Sequence, residues 1–391
     1  MGVSVRIKAA MESSSWIRRM FEEGRELKAR LGADRVFDFT LGNPDLEPPS
    51  RFKEELLAAA QDPRPGLHSY IPNAGLPEVR RVLAGHLSRL HHMEFQTDDL
   101  ILTCGAAGGL NVILKALLDP GDEVLVFAPF FPEYLFYADN HGGVARVVET
   151  DDHFQLNLKQ VEAGLTPRTR VVLINSPNNP TGQIYDGETL KELGKLLSHH
   201  AGRHGRPIYL VADEPYRRLI YDGLALPSIF GAYPNTVLAT SFSKDLSIPG
   251  ERLGYVAVSP RATDRGELAA GMVLANRILG FVNAPLLMQR VVAGLTEVSV
   301  DIAPYARRRE LFCDLLSQAG YDFIKPQGAF YLFPKAPGGD DLAFLARLKQ
   351  ENILAVPGRG FGRRGYFRLA FCVPEASIEK AASGFARAAK G

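Results

Sequence analysis

From about residue 99 the chain alternates short apolar runs with stretches whose apolar positions recur every three or four residues. The runs DLILT (99–103), DEVLVFA (122–128), TRVVLINS (169–176), PIYLVAD (207–213), TVLATS (236–241) and LGYVAVS (253–259) have strand length and are mostly apolar. Between them the helical pattern predicts helices over Gly105–Leu118, from Pro132 to about Asn140, and around Leu190–Leu197. The runs hardly alternate with polar residues, so their strands are buried on both faces. An α/β fold follows, a mostly parallel sheet covered by helices.

Beyond about residue 290 the texture changes. A long amphipathic stretch over Val300–Gly320 precedes short strands near Phe330, Ile353 and Phe367 and a final helix from Ala376. That is an α+β pattern and predicts a second, smaller domain. The expected division is an N-terminal segment (1–45) contributing to the small domain, a large domain (46–290) and a small C-terminal domain (291–391), with a helical segment over Ser13–Arg30 joining the two.

Composition narrows the class. Hydrophobic content of 46% against 23% charged residues is that of an ordinary globular chain. With 45 basic and 44 acidic residues the net charge is +1, which gives no basis for a nucleic-acid partner. Cys104, Cys313 and Cys372 are scattered and odd in number, so neither a disulfide framework nor a metal site is expected, and a reducing cytoplasm fits best. No apolar run approaches the ~18 residues of a membrane span, and the start lacks a signal-like apolar region, so no membrane association is expected.

Ligands of open α/β sheets collect beyond the carboxyl ends of the strands, and four runs stop in unusual chemistry there. LILT turns through Gly105, Ala106, Ala107, Gly108 and Gly109 into a helix, where small residues let an anion approach free backbone N–H groups. Taken alone, that turn reads equally well as close helix packing. TRVVLIN ends in Asn175, Ser176, Pro177, Asn178, Asn179, Pro180, Thr181 and Gly182, a rigid loop in which Asn179 is held extended before Pro180 and can aim its amide at a ligand. Asp213 follows five apolar or aromatic residues, with Tyr216 shortly after. A carboxylate at that depth needs a cation or several donors, although a lone Asp reads first as a helix cap. The fourth run leads into Ser241, Ser243, Lys244 and then Arg252. A lone lysine there reads as a surface residue, but two hydroxyls and a downstream arginine suit a phosphate.

The order NNPTG, DEPY, SFSK with a trailing GERLGY, and a late FRLAF resembles the class I/II aminotransferases among the fold type I pyridoxal-phosphate enzymes, over nearly the whole chain. The resemblance implies pyridoxal 5'-phosphate as cofactor, bound by the large domain. Lys244 corresponds to the lysine that carries it as a Schiff base and moves a proton between the substrate α-carbon and C4′. Asp213 corresponds to the carboxylate facing the pyridine nitrogen, which keeps that nitrogen protonated so that the ring accepts electrons. Tyr216 and Asn179 resemble the pair on the phenolic oxygen, and Phe131 the ring against the pyridine face. The phosphate falls to the backbone of Ala106 and Ala107, the hydroxyls of Ser241 and Ser243, and Arg252. Tyr70, in SYIPNAGLPEVR, resembles a tyrosine that reaches the neighbouring subunit's phosphate, which implies a homodimer with shared active sites. Arg368 is the counterpart of the arginine that grips the substrate α-carboxylate, and Gly42 in TLGNPD of the segment that closes over it, with Asn179 beside them.

The implied reaction is transfer of an amino group between an L-amino acid and a 2-oxo acid. A carbon–sulfur β-lyase on the same scaffold is the alternative, and a non-catalytic regulator is disfavoured because no basic DNA-binding segment precedes residue 40. Ala107 stands where many bacterial aspartate-type members carry a basic residue, which argues against a dicarboxylate substrate. Phe130, Phe131 and Trp16, with the SSSW stretch (13–16), point instead to an aromatic or other apolar side chain.

Overall fold

The computed structural model describes residues 2–12 and 16–390. Its strands in chain order are β1 (Phe37–Asp38), β2 (Leu100–Thr103), β3 (Glu123–Ala128), β4 (Val144–Glu149), β5 (Thr169–Asn175), β6 (Tyr209–Asp213), β7 (Thr236–Ser241), β8 (Gly254–Val258), β9 (Tyr331–Leu332), β10 (Ile353–Leu354), β11 (Val356–Pro357) and β12 (Phe367–Ala370). Seven of them form one sheet in the order β2-β8-β7-β6-β5-β3-β4. Only β8 runs against its neighbours, pairing antiparallel with β2 and β7. The other pairs are parallel, as uninterrupted apolar runs require.

Both faces of this sheet are covered, and the period of two along each strand shows how. Val172 and Ile174 of β5 join the core on one face, while Val171 and Leu173 join the core on the other. Each of these four is almost fully buried, which is worth roughly 1.5–3 kcal/mol per side chain. The helix Gly105–Leu117 covers one face through Leu110, Val112, Ile113 and Leu114. The helices Pro77–His91 and Gly187–His204 cover the other. The last was expected only around Leu190–Leu197; an Asp186 cap, whose side chain accepts from the Thr189 backbone N–H, lets it begin earlier. β4 was not among the expected strands. It is a sheet edge whose side chains are largely exposed, so VARVVE lacks the buried run that marks its neighbours.

The chain leaves β3 outward to β4 and returns to β5 on the other side of β3. The loops after β3 and β5 therefore part, opening a crevice at the carboxyl ends of the sheet. A separate aromatic core, including Phe39, Phe312, Phe330, Phe344, Phe367 and Phe385, lies outside the large sheet. There β9, β11 and β12 make a small antiparallel sheet, and β1 from the N-terminal segment pairs with β10, Phe37 opposite Ile353. The helices Ala303–Gln318 and Glu375–Lys390 pack on it. The helix before β1 is Trp16–Leu31; Ser13–Ser15, where a helical start was expected, lie outside the described residues.

Candidate active site

Asn175 and Asp213 are the last residues of β5 and β6 and stand opposite each other in the sheet register. The Asn175 amide donates to the Asp213 carbonyl at 2.8 Å, and its Oδ1 accepts from the Asn179 backbone N–H at 2.7 Å. One side chain thus ties the NNPTG loop to the next strand end. Asn178 stiffens the same loop by accepting from the Thr181 N–H and hydroxyl. These bonds fix the loop, and Asn179 lines a cleft.

Lining that cleft are Gly42, Ala106, Ala107, Phe131, Asn179, Asp213, Tyr216, Ser241, Ser243, Lys244, Arg252 and Arg368, drawn from both ends of the chain. Asp213 is buried, and burial pushes its carboxyl up to about 7 against the opposing pull of a hydrogen bond from Tyr134. Its Oδ2 accepts from the Tyr134 hydroxyl at 2.6 Å, and its Oδ1 has no partner. A buried, unsatisfied carboxylate oxygen calls for a donor.

Lys244 follows β7 and reaches across to the N-terminal segment, its Nζ donating to the Gly42 carbonyl at 3.0 Å and lying 5.5 Å from the centre of the Phe330 ring. No carboxylate pairs with it among the described residues, and burial pulls its ammonium down to about 8. Tyr216 pairs with the Tyr331 hydroxyl at 3.0 Å. Burial raises the phenol of Tyr216 well above its ordinary value.

At the other end of the cleft the helix Gly105–Leu117 presents the backbone of Ala106 and Ala107. Gly105 has φ +71°, and a Cβ there would meet the Arg252 guanidinium at 3.0 Å, so the residue suits both the turn and the approach of the arginine. Arg252 is itself in the left-handed region, at φ 54°, with Nη1 donating to the Pro249 carbonyl at 2.9 Å. Ser241 and Ser243 are buried beside it and line the same cleft.

Arg368, from β12, is 2% exposed. Its Nη1 donates to Asn179 Oδ1 at 3.0 Å and its Nη2 to the Thr40 carbonyl, while Nε has no partner. The rings of Tyr331 and Phe361 lie 4.6 and 4.8 Å from the guanidinium carbon. Among the described residues no carboxylate forms an ion pair with it, so a buried cation faces the cleft without an anion.

The remaining candidates divide. Phe131 lines the cleft and meets Tyr134 edge-on at 5.5 Å. Phe130 does not line it: its ring turns into the core, where a Cβ on Gly362 would strike it at 2.7 Å. Trp16 packs on the cluster of Phe154, Phe333, Val356 and Phe361, behind Arg368. Tyr70 is 92% exposed and lies away from this cleft. Tyr134, Tyr137 and Tyr331 line the cleft without having been singled out in the sequence. Tyr134 and Tyr137 follow Phe131 at helical spacing, which is the one signal that marks them.

The sequence profile of aminotransferase class I and II matches residues 34–385. The chain belongs to this family, and amino-group transfer between an amino acid and a 2-oxo acid is its chemistry. The aspartate/prephenate aminotransferase of Thermus thermophilus is 32% identical over 99% of this chain and 98% of its own length. The aspartate aminotransferase of Thermotoga maritima is 33% identical over 88% of each chain. In structure, an aminotransferase from Eubacterium rectale superposes with a TM-score of 0.96 at 38% identity, covering 100% of this chain and 99% of that one. The central sheet is therefore that of the fold type I aminotransferases, and a lyase on the same scaffold is not favoured.

Proposed function

We propose that this aminotransferase works with pyridoxal phosphate in the cleft between Asp213 and Lys244, and that the buried, unpartnered Oδ1 of Asp213 is the acceptor for its pyridine N–H. That orphaned oxygen carries the reading. A cationic N–H beside it would return Asp213 to its charged form, reversing the effect of burial. When bound, the cofactor supplies an electron sink for the bond broken at the substrate α-carbon.

Everything else falls to side chains of this chain. Lys244, with its amine pulled down to about 8, is half unprotonated near that pH and can attack a carbonyl or take a proton from the α-carbon. Tyr216 and Asn179 supply hydrogen bonds to a phenolic oxygen, and Phe131 supplies a ring face. The Ala106 and Ala107 backbone, the Ser241 and Ser243 hydroxyls and Arg252 make an anion site of phosphate character. Arg368 forks onto the substrate carboxylate, and the segment at Gly42 lies beside it. The exposure of Tyr70 supports a role across a subunit interface, hence a homodimer with shared sites. The three free cysteines suit a cytoplasmic enzyme, and among the described residues no helix is long and apolar enough to cross a membrane.

Borohydride reduction of the cofactor-loaded protein, followed by peptide mapping, tests the assignment. The label is expected on Lys244; a label on any other lysine overturns it.

A further inference from the structure

Tyr331 is the first residue of β9 and touches three working parts of the cleft it lines. In the antiparallel register it stands opposite Ala370 of β12, so Arg368, two residues back along β12, is its diagonal neighbour on the same face, with the guanidinium carbon 4.6 Å from the ring centre. Gly42, whose carbonyl receives the Lys244 amine, passes so close that a Cβ there would lie 1.9 Å from the Tyr331 hydroxyl oxygen. The hydroxyl itself lies 3.0 Å from the hydroxyl of Tyr216, a hydrogen bond in which either oxygen could be the donor.

A phenol has one proton to donate. If Tyr216 gives its proton to the phenolic oxygen of the cofactor, it can only accept from Tyr331, and the two hydroxyls form a chain that runs from Tyr331 through Tyr216 to the cofactor. The charges around the pair favour the same order. Burial pushes the Tyr331 phenol up to about 12 with Arg368 pulling against it, whereas burial, Tyr331 and Asp213 all raise Tyr216 well above its ordinary value. Of two phenols, the one beside the cation is the better donor. Cys372 and Glu133, the other titratable groups coupled to Tyr331, are both shifted by burial towards their neutral forms. We infer that Tyr331 is a positioning residue: by donating to Tyr216 it keeps the Tyr216 proton directed at the cofactor's phenolic oxygen and strengthens that bond. The inference rests on the proposed placement of Tyr216 beside that oxygen and adds the group that orients it.

The test is a pH titration of the absorption spectrum of the cofactor-loaded protein, whose colour changes as the Lys244 nitrogen, bound to the cofactor, loses its proton. A hydrogen bond to the phenolic oxygen stabilises negative charge there and lowers the midpoint of that change. Tyr331→Phe keeps the ring beside Arg368 and removes only the hydroxyl. The midpoint is expected to rise by about 0.2–0.6 of a pH unit, a fraction of the rise expected for Tyr216→Phe. In a Tyr216→Phe background the same change should leave the midpoint where it is. Replacing Tyr331 with 3-fluorotyrosine, a more acidic phenol of nearly the same size and so a stronger donor, is expected to lower the midpoint. An unchanged midpoint in Tyr331→Phe overturns the inference, and so does a lowered one, because Tyr331 would then compete for the Tyr216 proton. Should Tyr331→Phe fail to fold, a raised or unchanged midpoint with 3-fluorotyrosine overturns it alone. Tyr216→Phe separates the two readings. If it raises the midpoint while Tyr331→Phe does not, only the role of Tyr331 is lost; if it leaves the midpoint unchanged, the placement of Tyr216 at the phenolic oxygen fails and the inference with it.

Discussion

Tyr134 donates a 2.6 Å hydrogen bond to Oδ2 of Asp213, and Oδ1 of the same buried carboxylate has no partner. One oxygen is committed to holding the side chain still while the other has no protein partner. In the cofactor-free protein this arrangement costs stability, and the pH dependence follows from the direction of the shift. The folded-state value, raised to about 7, lies above the ordinary 3.8, so the native state binds the extra proton between those limits. The cost is absent below about pH 4 and complete once pH has risen through 7. Asp213→Asn in the cofactor-free protein should therefore gain on the order of 3 kcal/mol over the parent at pH 8 and little at pH 4, read by urea unfolding. Turnover of the loaded variant should drop by about 10²-fold or more. Equal stability differences at the two pH values would contradict the buried-carboxylate account.

Arg368 lines the cleft, held through its two Nη groups by Asn179 and Thr40, while its Nε has no partner. Replacing it with lysine keeps the charge but loses the paired donors. Arg368→Lys should raise KM for the amino-acid substrate roughly 10- to 100-fold, the scale of one lost charge-assisted hydrogen bond. The melting temperature should move little beside that. An unchanged KM in steady-state kinetics would remove Arg368 from substrate binding.

The strand ends were legible because chemistry there interrupts an otherwise apolar pattern. Asn175, Asp213 and Ser241 each terminate a run whose other side chains are core, and a polar residue at that depth demands a reason. Arg368 stood out likewise, as a charge inside FRLAF. Tyr134 and Tyr331 did not, since an aromatic ring in an apolar segment reads as packing until the partner of its hydroxyl is known. Those partners, Asp213 and Tyr216, are 79 and 115 residues away in the chain. Phe130 and Phe131 were indistinguishable by type and separated only by which way the backbone turns after β3. β4 escaped notice because an exposed edge strand carries no buried run.

Gly42 offers the sharpest steric test of the cleft. A Cβ there would lie 1.9 Å from the Tyr331 hydroxyl oxygen and 2.6 Å from the ring carbon that bears it, so Gly42→Ala forces either the loop or the ring to move. Neither is free. The Tyr331 hydroxyl pairs with Tyr216, and the Gly42 carbonyl receives the Lys244 amine, so one methyl group disturbs both sides of the site at once. Overpacking of this kind costs typically about 1–3 kcal/mol, and a loss of roughly 10- to 100-fold in kcat/KM is the expected outcome. The cause can be isolated in a double-mutant cycle. A Tyr331→Ala background removes the three atoms that the methyl of Gly42→Ala would approach most closely, so the methyl should add little further loss to whatever activity Tyr331→Ala retains. If Gly42→Ala is as damaging without the tyrosine as with it, the collision with Tyr331 is not what makes glycine necessary at this position.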